Sequence, residues 1–286
     1  MRVRLIVDST ADLPQQIKSR LDVVPLTVVF GEEEYLDGVT ITHEEFYEKL
    51  VETDVLPHTS QASPDAFRKV YDRVLQAGES AVVLTIASAL SGTYQSAVMA
   101  AEGLENIHVV DSKTAAIGMG ILAQMALRFI AEGLSAAEVA ARLEKERENV
   151  YVLAMLDTLE FLQRGGRISK TAAVAGGLLG LKPVLCIEDG KIQALGKARG
   201  SKHANNLLAQ EIDKAGGVDF SRPVLLGYTG LSDRLLQKYI ADSAALWQHS
   251  ADELTYTIIG SVIGTHAGPG AVAVAFFKNN TRGIAP

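Results

Sequence analysis

The stretch Leu84-Thr85-Ile86-Ala87-Ser88-Ala89-Leu90-Ser91-Gly92-Thr93-Tyr94-Gln95-Ser96-Ala97 decides how the chain is read. With Ala81, Val82 and Val83 ahead of it, its first half is a short apolar run rich in β-branched residues. That composition fits a strand buried on both faces, as in a parallel sheet. From Thr93 through Ala101 the chain is Ala-rich and reads as a helix, so Ser91-Gly92-Thr93 marks the handover from strand to helix. In open α/β sheets ligands bind at the carboxyl ends of strands, and free N–H groups at a helix start favour an anion. Ser91 and Thr93 are equally good helix caps. On this stretch alone, a cap and a ligand site both stay open.

The flanking segments repeat the alternation of strand and helix. Val3–Val7 reads as a strand, and Asp8-Ser9-Thr10-Ala11-Asp12 after it has the spacing of a capping box for a helix from Pro14 to Arg20. Val23–Phe30 reads as a second strand. Thr42 caps a helix running to Glu52, and Ser63 with Pro64 opens another after the polar loop Leu56–Pro64. Ile107–Val110 is a strand ending in Asp111-Ser112. An apolar helix (Ala115–Glu132) and a charged one (Ser135–Asn149) follow. This order predicts a parallel sheet covered on both sides.

The texture then changes. Asp189-Gly190 between Pro183–Ile187 and Lys191–Leu195 is a strong hairpin signal, so these two strands must be antiparallel. A helix over Ser201–Ala215, a strand over Val224–Tyr228, a helix over Ser232–Trp247 and strands over Thr255–Ile259 and Ala271–Phe277 complete the reading. The expected fold class is α/β with two domains: a parallel-sheet α/β domain over residues 1–158 and an α+β domain over residues 159–286.

Of the 286 residues 48% are hydrophobic and 21% charged, enough apolar material for a sizeable core. The net charge of −7 argues against nucleic acid as a partner. Cys186 is the only cysteine, which excludes an internal disulfide or a cysteine metal cluster and leaves a buried thiol as the expectation. The apolar run near the N-terminus is too short for a signal peptide. Leu254–Phe277 has no Asp, Glu, Lys or Arg, but His266, Pro269 and Gly260, Gly264, Gly268 and Gly270 interrupt it. Its halves read as strands around a glycine-rich loop, so no stable membrane insertion is expected and the cytoplasm is the expected location.

Three clusters could carry chemistry: Thr59-Ser60-Gln61, Ser91-Gly92-Thr93, and the run from Gly264 to Gly270 around His266. Ser91 and His266 invite a hydrolase reading, with Asp8 or Asp111 as the residue orienting the histidine. Gly-x-Ser-x-Gly is absent around Ser91, however. The Gly-x-x-x-x-Gly-Lys-Ser/Thr phosphate loop and paired histidine ligands are absent too, so neither nucleotide nor metal is supported. What remains is a set of neutral donors with one histidine, suited to holding a carboxylate or phosphate by hydrogen bonds.

Taken together, six segments resemble the DegV family of fatty-acid-binding proteins. They are Ile6–Leu13, Thr59–Pro64, Leu90–Ala97, Val110–Ser112, Gly165–Ser169 and His266–Gly270, and they run in the family's order from end to end. Ala62 departs from the family's usual proline, which stiffens the loop less but spares its hydroxyls. The resemblance implies one long-chain fatty acid, such as palmitate, in a tunnel between two domains, and no cofactor. Thr59, Ser60, Ser91, Gly92 and His266 would form the ligand site, with Thr59 and Ser91 holding the carboxylate and His266 close by. It further implies a partner fatty-acid kinase that phosphorylates the bound carboxylate to an acyl phosphate for phospholipid synthesis, with Arg167 and Arg199 matching basic positions of the docking surface. The glycine-rich Ala175–Leu181 is the expected tunnel wall or movable cover.

Overall fold

The run Ser80–Thr85 is buried at every position and lies inside a four-stranded parallel sheet, as its composition requires. The computed structural model describes residues 1–168, 180–247 and 254–279. Its strands are β1 (Val3–Asp8), β2 (Asp22–Val24), β3 (Thr27–Phe30), β4 (Glu33–Leu36), β5 (His58–Ser60), β6 (Ser80–Thr85), β7 (Ile107–Asp111), β8 (Val150–Met155), β9 (Leu181–Glu188), β10 (Lys191–Arg199), β11 (Leu225–Tyr228), β12 (Tyr256–Ile258) and β13 (Val272–Phe277). The α-helices are α1 (Gln15–Lys18), α2 (His43–Glu52), α3 (Pro64–Gln76), α4 (Thr93–Ala100), α5 (Ile117–Ala131), α6 (Ala136–Glu146), α7 (Glu160–Arg164), α8 (Gly200–Lys214), α9 (Arg234–Asp242), α10 (Ala244–Trp247) and α11 (Ser261–Ala267).

The first sheet has the order β2-β1-β6-β7, all parallel. Alternate residues of its strands serve two cores. Leu5, Val7, Val82 and Leu84 pack with α5 and α6, while Ile6, Ala81 and Val83 pack with α3 and α4. The second sheet has the order β10-β9-β8-β13-β11-β12, antiparallel except for the β11–β12 pair. One of its faces is covered by Ala204, Leu208 and Ile212 of α8, Leu236 and Tyr239 of α9, and Trp247. Its other face sends Leu225, Ala273, Ala275 and Phe277 into the core shared with α5. A helix wedged between two sheets must be apolar nearly all round. This explains why Ile117, Met119, Ile121, Leu122, Met125 and Phe129 of α5 are all buried. β8 precedes residue 158, where the sequence reading divides the chain, yet it pairs with β9 and β13 of the second sheet.

Several local signals act as expected. Thr42 and Glu45 form a reciprocal capping box on α2, and the Ser63 hydroxyl caps α3 ahead of Pro64. Asp189 and Gly190 both take positive φ (47° and 74°), the geometry of a tight hairpin, and join β9 to β10.

Others do not. The expected strand over Val23–Phe30 is two strands in two sheets. Pro25 offers no N–H to a ladder, and past it β3 joins an antiparallel sheet of order β4-β3-β5. That sheet also makes a strand of His58–Ser60, inside the expected polar loop. Ser9 and Asp12 do not cap a helix: α1 is only four residues long and has no side-chain cap. Gly264–Gly270 is not simply a loop between strands, because its first half belongs to α11, which carries His266. The expected helix over Ser232–Trp247 ends at Asp242 and resumes as α10.

Candidate functional site

Ser91 and Gly92 lie in the turn after β6, at the carboxyl edge of the first sheet. Leu90 and Ser91 donate their amides to the Ala87 carbonyl, at 2.9 and 3.2 Å. Gly92 takes the N-cap position of α4 without a side-chain cap. The Ser91 hydroxyl pairs with that of Thr93 (2.9 Å) and accepts the Thr93 amide (3.3 Å). Gly92 is needed for close approach: a Cβ built there would come within 2.1 Å of Gln61 Oε1. Gln61 in turn donates through Nε2 to the buried Ser96 hydroxyl at 2.9 Å, so the turn at Ser91 and the segment after β5 are packed against each other.

Thr59 is fixed by β5, where it pairs with Val28 of β3. His266, in the last turn of α11, places Nε2 2.9 Å from Thr59 Oγ1. Its other nitrogen, Nδ1, is buried with no partner and faces Gly165, where a Cβ would sit 2.3 Å from it. Burial, aided by the positive charge of Arg167, pushes the His266 pKa down to about 4, so the ring is neutral at physiological pH. Arg167 donates to the carbonyls of Leu90 (3.1 Å) and Gly165 (2.6 Å), tying the turn at Ser91 to the segment behind His266.

These groups cluster on the wall of a cavity of about 380 Å3 between the two sheets. Thr59, Ser60, Gln61, Ser91, Gly92, Arg167 and His266 are its polar lining. Apart from Cys186 the rest is aliphatic, from Leu26 and Ile86 on the first-sheet side to Val152, Ala154, Leu185, Ile187 and Ala273 on the second. Leu90, Ser91, Gly92, Arg167 and Ile192 also border an adjoining depression with Ser88 and Lys191. Ser91, Gly92 and Arg167 of the polar lining therefore belong to both the cavity and this depression. Five predicted ligand residues thus converge, together with Arg167. Arg199 does not join them; it is exposed at the end of β10, where its carbonyl accepts from His203 Nδ1 at 3.0 Å. Of the expected cover Ala175–Leu181, residues 175–179 lie outside the described residues.

Neither acid considered for orienting His266 does so. Asp8 accepts from Thr10 and from the Ile86 amide, and Asp111 accepts from Ser88 and the Lys113 amide. Cys186 is a buried free thiol that burial pushes up in pKa. No cluster of metal-ligating side chains occurs among the described residues, and no helix among them is long and apolar enough to cross a membrane. The sequence gives Gly165 no role at the site, yet its lack of a side chain makes room for the His266 ring. Nor does the sequence mark the aliphatic lining. Only the glycine pair at 165 and 166 offered a local signal.

Fold and site together define an α/β protein with a largely apolar cavity headed by hydroxyls, a neutral histidine and one arginine. The chain belongs to the DegV family: the family model described as "Uncharacterised protein, DegV family" matches residues 2–279. A DegV domain-containing protein of Caldanaerobacter subterraneus subsp. tengcongensis is 35% identical over 283 residues, covering 96% of this chain and 98% of the relative. Among solved structures, a DegV family protein from Thermus thermophilus described as fatty-acid binding aligns with a TM-score of 0.84 at 35% identity, over 98% of this chain and 100% of that one. A stearic-acid-binding protein from Eubacterium ventriosum aligns with a TM-score of 0.83 at 28% identity, over 96% and 98%.

Proposed function

We propose that this protein binds one long-chain fatty acid in the cavity and presents its carboxylate, at the Thr59–Ser91–His266 end, to a partner fatty-acid kinase in the cytoplasm. The kinase would phosphorylate the carboxylate to an acyl phosphate for phospholipid synthesis. The observation that carries the reading is the hydrogen-bonded Thr59–His266 pair at the head of an otherwise aliphatic cavity.

The chemistry follows from proton placement. In its Nε2–H tautomer the neutral imidazole donates to Thr59 Oγ1, leaving the Thr59 proton to point at a ligand oxygen. The Thr93 hydroxyl can do the same for Ser91. Two hydroxyls backed in this way, with the fixed charge of Arg167 nearby, suit a carboxylate. Each neutral hydrogen bond contributes about 1 kcal/mol net. Burying roughly fifteen methylenes at about 0.8 kcal/mol each gives on the order of 12 kcal/mol before association costs. The tail supplies affinity and the head group supplies registration. Arg167, which borders the adjoining depression, and the exposed Arg199 are the proposed kinase-facing positions.

Ser91→Ala tests the site. Its palmitate affinity is expected to fall about three- to tenfold, with slower acyl-phosphate formation in the presence of a fatty-acid kinase and ATP and unchanged thermal stability. Unchanged affinity together with a wild-type rate would show the assignment to be wrong.

A further inference from the structure

Asp8-Ser9-Thr10-Ala11-Asp12 leaves β1 at the carboxyl edge of the first sheet, and all five residues are buried. None of them lines the cavity. Their side chains nevertheless reach three of its walls. Asp8 Oδ2 accepts the Ile86 amide at 2.7 Å, while its Oδ1 is occupied by the Thr10 amide and hydroxyl. Ser9 Oγ accepts the Leu26 amide at 3.1 Å, and Asp12 Oδ1 accepts the Gly260 amide at 2.8 Å.

Each of these amides belongs to a segment that carries a head-group side chain or pairs with the strand that does. Ile86 opens the turn carrying Ser91. Leu26 immediately precedes β3, whose partner β5 carries Thr59. Gly260 is the N-cap residue of α11, which carries His266. Burying carboxylates is costly unless hydrogen bonds compensate. Here Asp8 and Asp12, within one turn, are each bonded to a backbone amide of a distant segment.

We propose that Asp8, Ser9 and Asp12 are positioning residues for the head group: by pinning Ile86, Leu26 and Gly260 to one buried turn, they set the mutual spacing of Ser91, Thr59 and His266. This rests on the fatty-acid reading above and adds to it the device that keeps three separate segments in register. A polar site works only when its groups are held within about 0.5 Å of the productive geometry. At helix α11 the second sheet holds the chain only as far as Ile259, whose amide bonds the Tyr228 carbonyl at 2.8 Å. The helix's first two amides go to Asp12 and Asp37, both from the N-terminal part of the chain.

The test compares palmitate with hexadecanol, which has the same tail and no carboxylate, in the full-length wild type, Asp12→Ala, Asp12→Asn and Ser9→Ala. The wild type is expected to prefer the acid. Asp12→Ala should lose about tenfold in palmitate affinity and little in hexadecanol affinity. Asp12→Asn keeps an oxygen for the Gly260 amide and should restore the wild-type ratio. Burial raises the pKa of the Asp12 carboxyl, and the amide keeps its size and its acceptor oxygen without adding a charge. Ser9→Ala should narrow the ratio by about threefold, and it carries the test if Asp12→Ala does not fold. A purely structural role would weaken both ligands together. If folded Asp12→Ala and Ser9→Ala keep the wild-type acid-to-alcohol ratio, the positioning role is overturned and the fatty-acid reading stands. If the wild type binds neither ligand, or both equally, the fatty-acid head-group reading fails and the positioning role falls with it.

Discussion

The head of the cavity draws Thr59, Ser91 and His266 from three segments, the outer two 207 residues apart. One wall of its body is a face of a continuous sheet, with Val152 and Ala154 on β8, Leu185 and Ile187 on β9 and Ala273 on β13 side by side in register. The two ends answer different physical demands. An aliphatic wall needs only to exclude water, and burial is non-directional and proportional to area. Hydrogen bonds weaken steeply with misalignment, so the head needs anchors such as the amide bonds from Ile86, Leu26 and Gly260. The alanines of the body serve the complementary purpose, since at Ala154 and Ala273 small side chains leave the volume that a tail would fill.

Breaking the body should therefore cost most. Ala273→Phe places a ring where the tail would lie. Its palmitate affinity is expected to fall on the order of a hundredfold, with overpacking costing about 1–3 kcal/mol of stability. Calorimetric titration beside thermal unfolding separates the two effects. The head variant Ser91→Ala sits below this, at threefold to tenfold, because one hydrogen bond is worth far less than a displaced tail.

The smallest effect in the wild-type protein concerns pH, because two buried groups act there in opposite directions. His266 is held at about 4 against an ordinary 6.5, so between those values the unfolded chain binds more protons and this group makes stability rise with pH. Asp8 is pushed by burial to about 6 from an ordinary 3.8. There the folded chain binds more protons, and this group makes stability fall as pH rises from 3.8 to about 6. The two slopes oppose each other. Urea unfolding between pH 4 and 6 should show a more negative slope than wild type for His266→Gln and a more positive one for Asp8→Asn. Identical slopes in all three proteins would contradict the burial of both groups.

How much of this was legible depends on where each residue's partner lies. Thr42 with Glu45, Ser63 with Pro64 and Asp189 with Gly190 were readable because their partners are within three residues. The turn at Ser91 was readable because a buried strand handing over to a helix has its own composition. Ser9 and Asp12 have the spacing of a capping box, but their partners are 17 and 248 residues away, and no local rule reports that. His266 was expected in a loop because glycines dominate its surroundings. Those glycines are instead packing requirements: a Cβ at Gly264 would strike Tyr47 and Phe46, and one at Gly268 would strike the Phe161 ring. Which aliphatic residues line the cavity was not legible at all, because facing the cavity and facing the core call for the same side chains.

The central claim is that the cavity holds a fatty acid by its tail and registers it by its head. Mass spectrometry of lipid extracted from the natively purified protein tests it most directly. One fatty acid per chain is the predicted result, and its identity would give the chain preference. A protein that is empty as purified, and still empty after incubation with a panel of saturated and unsaturated fatty acids, would contradict the account.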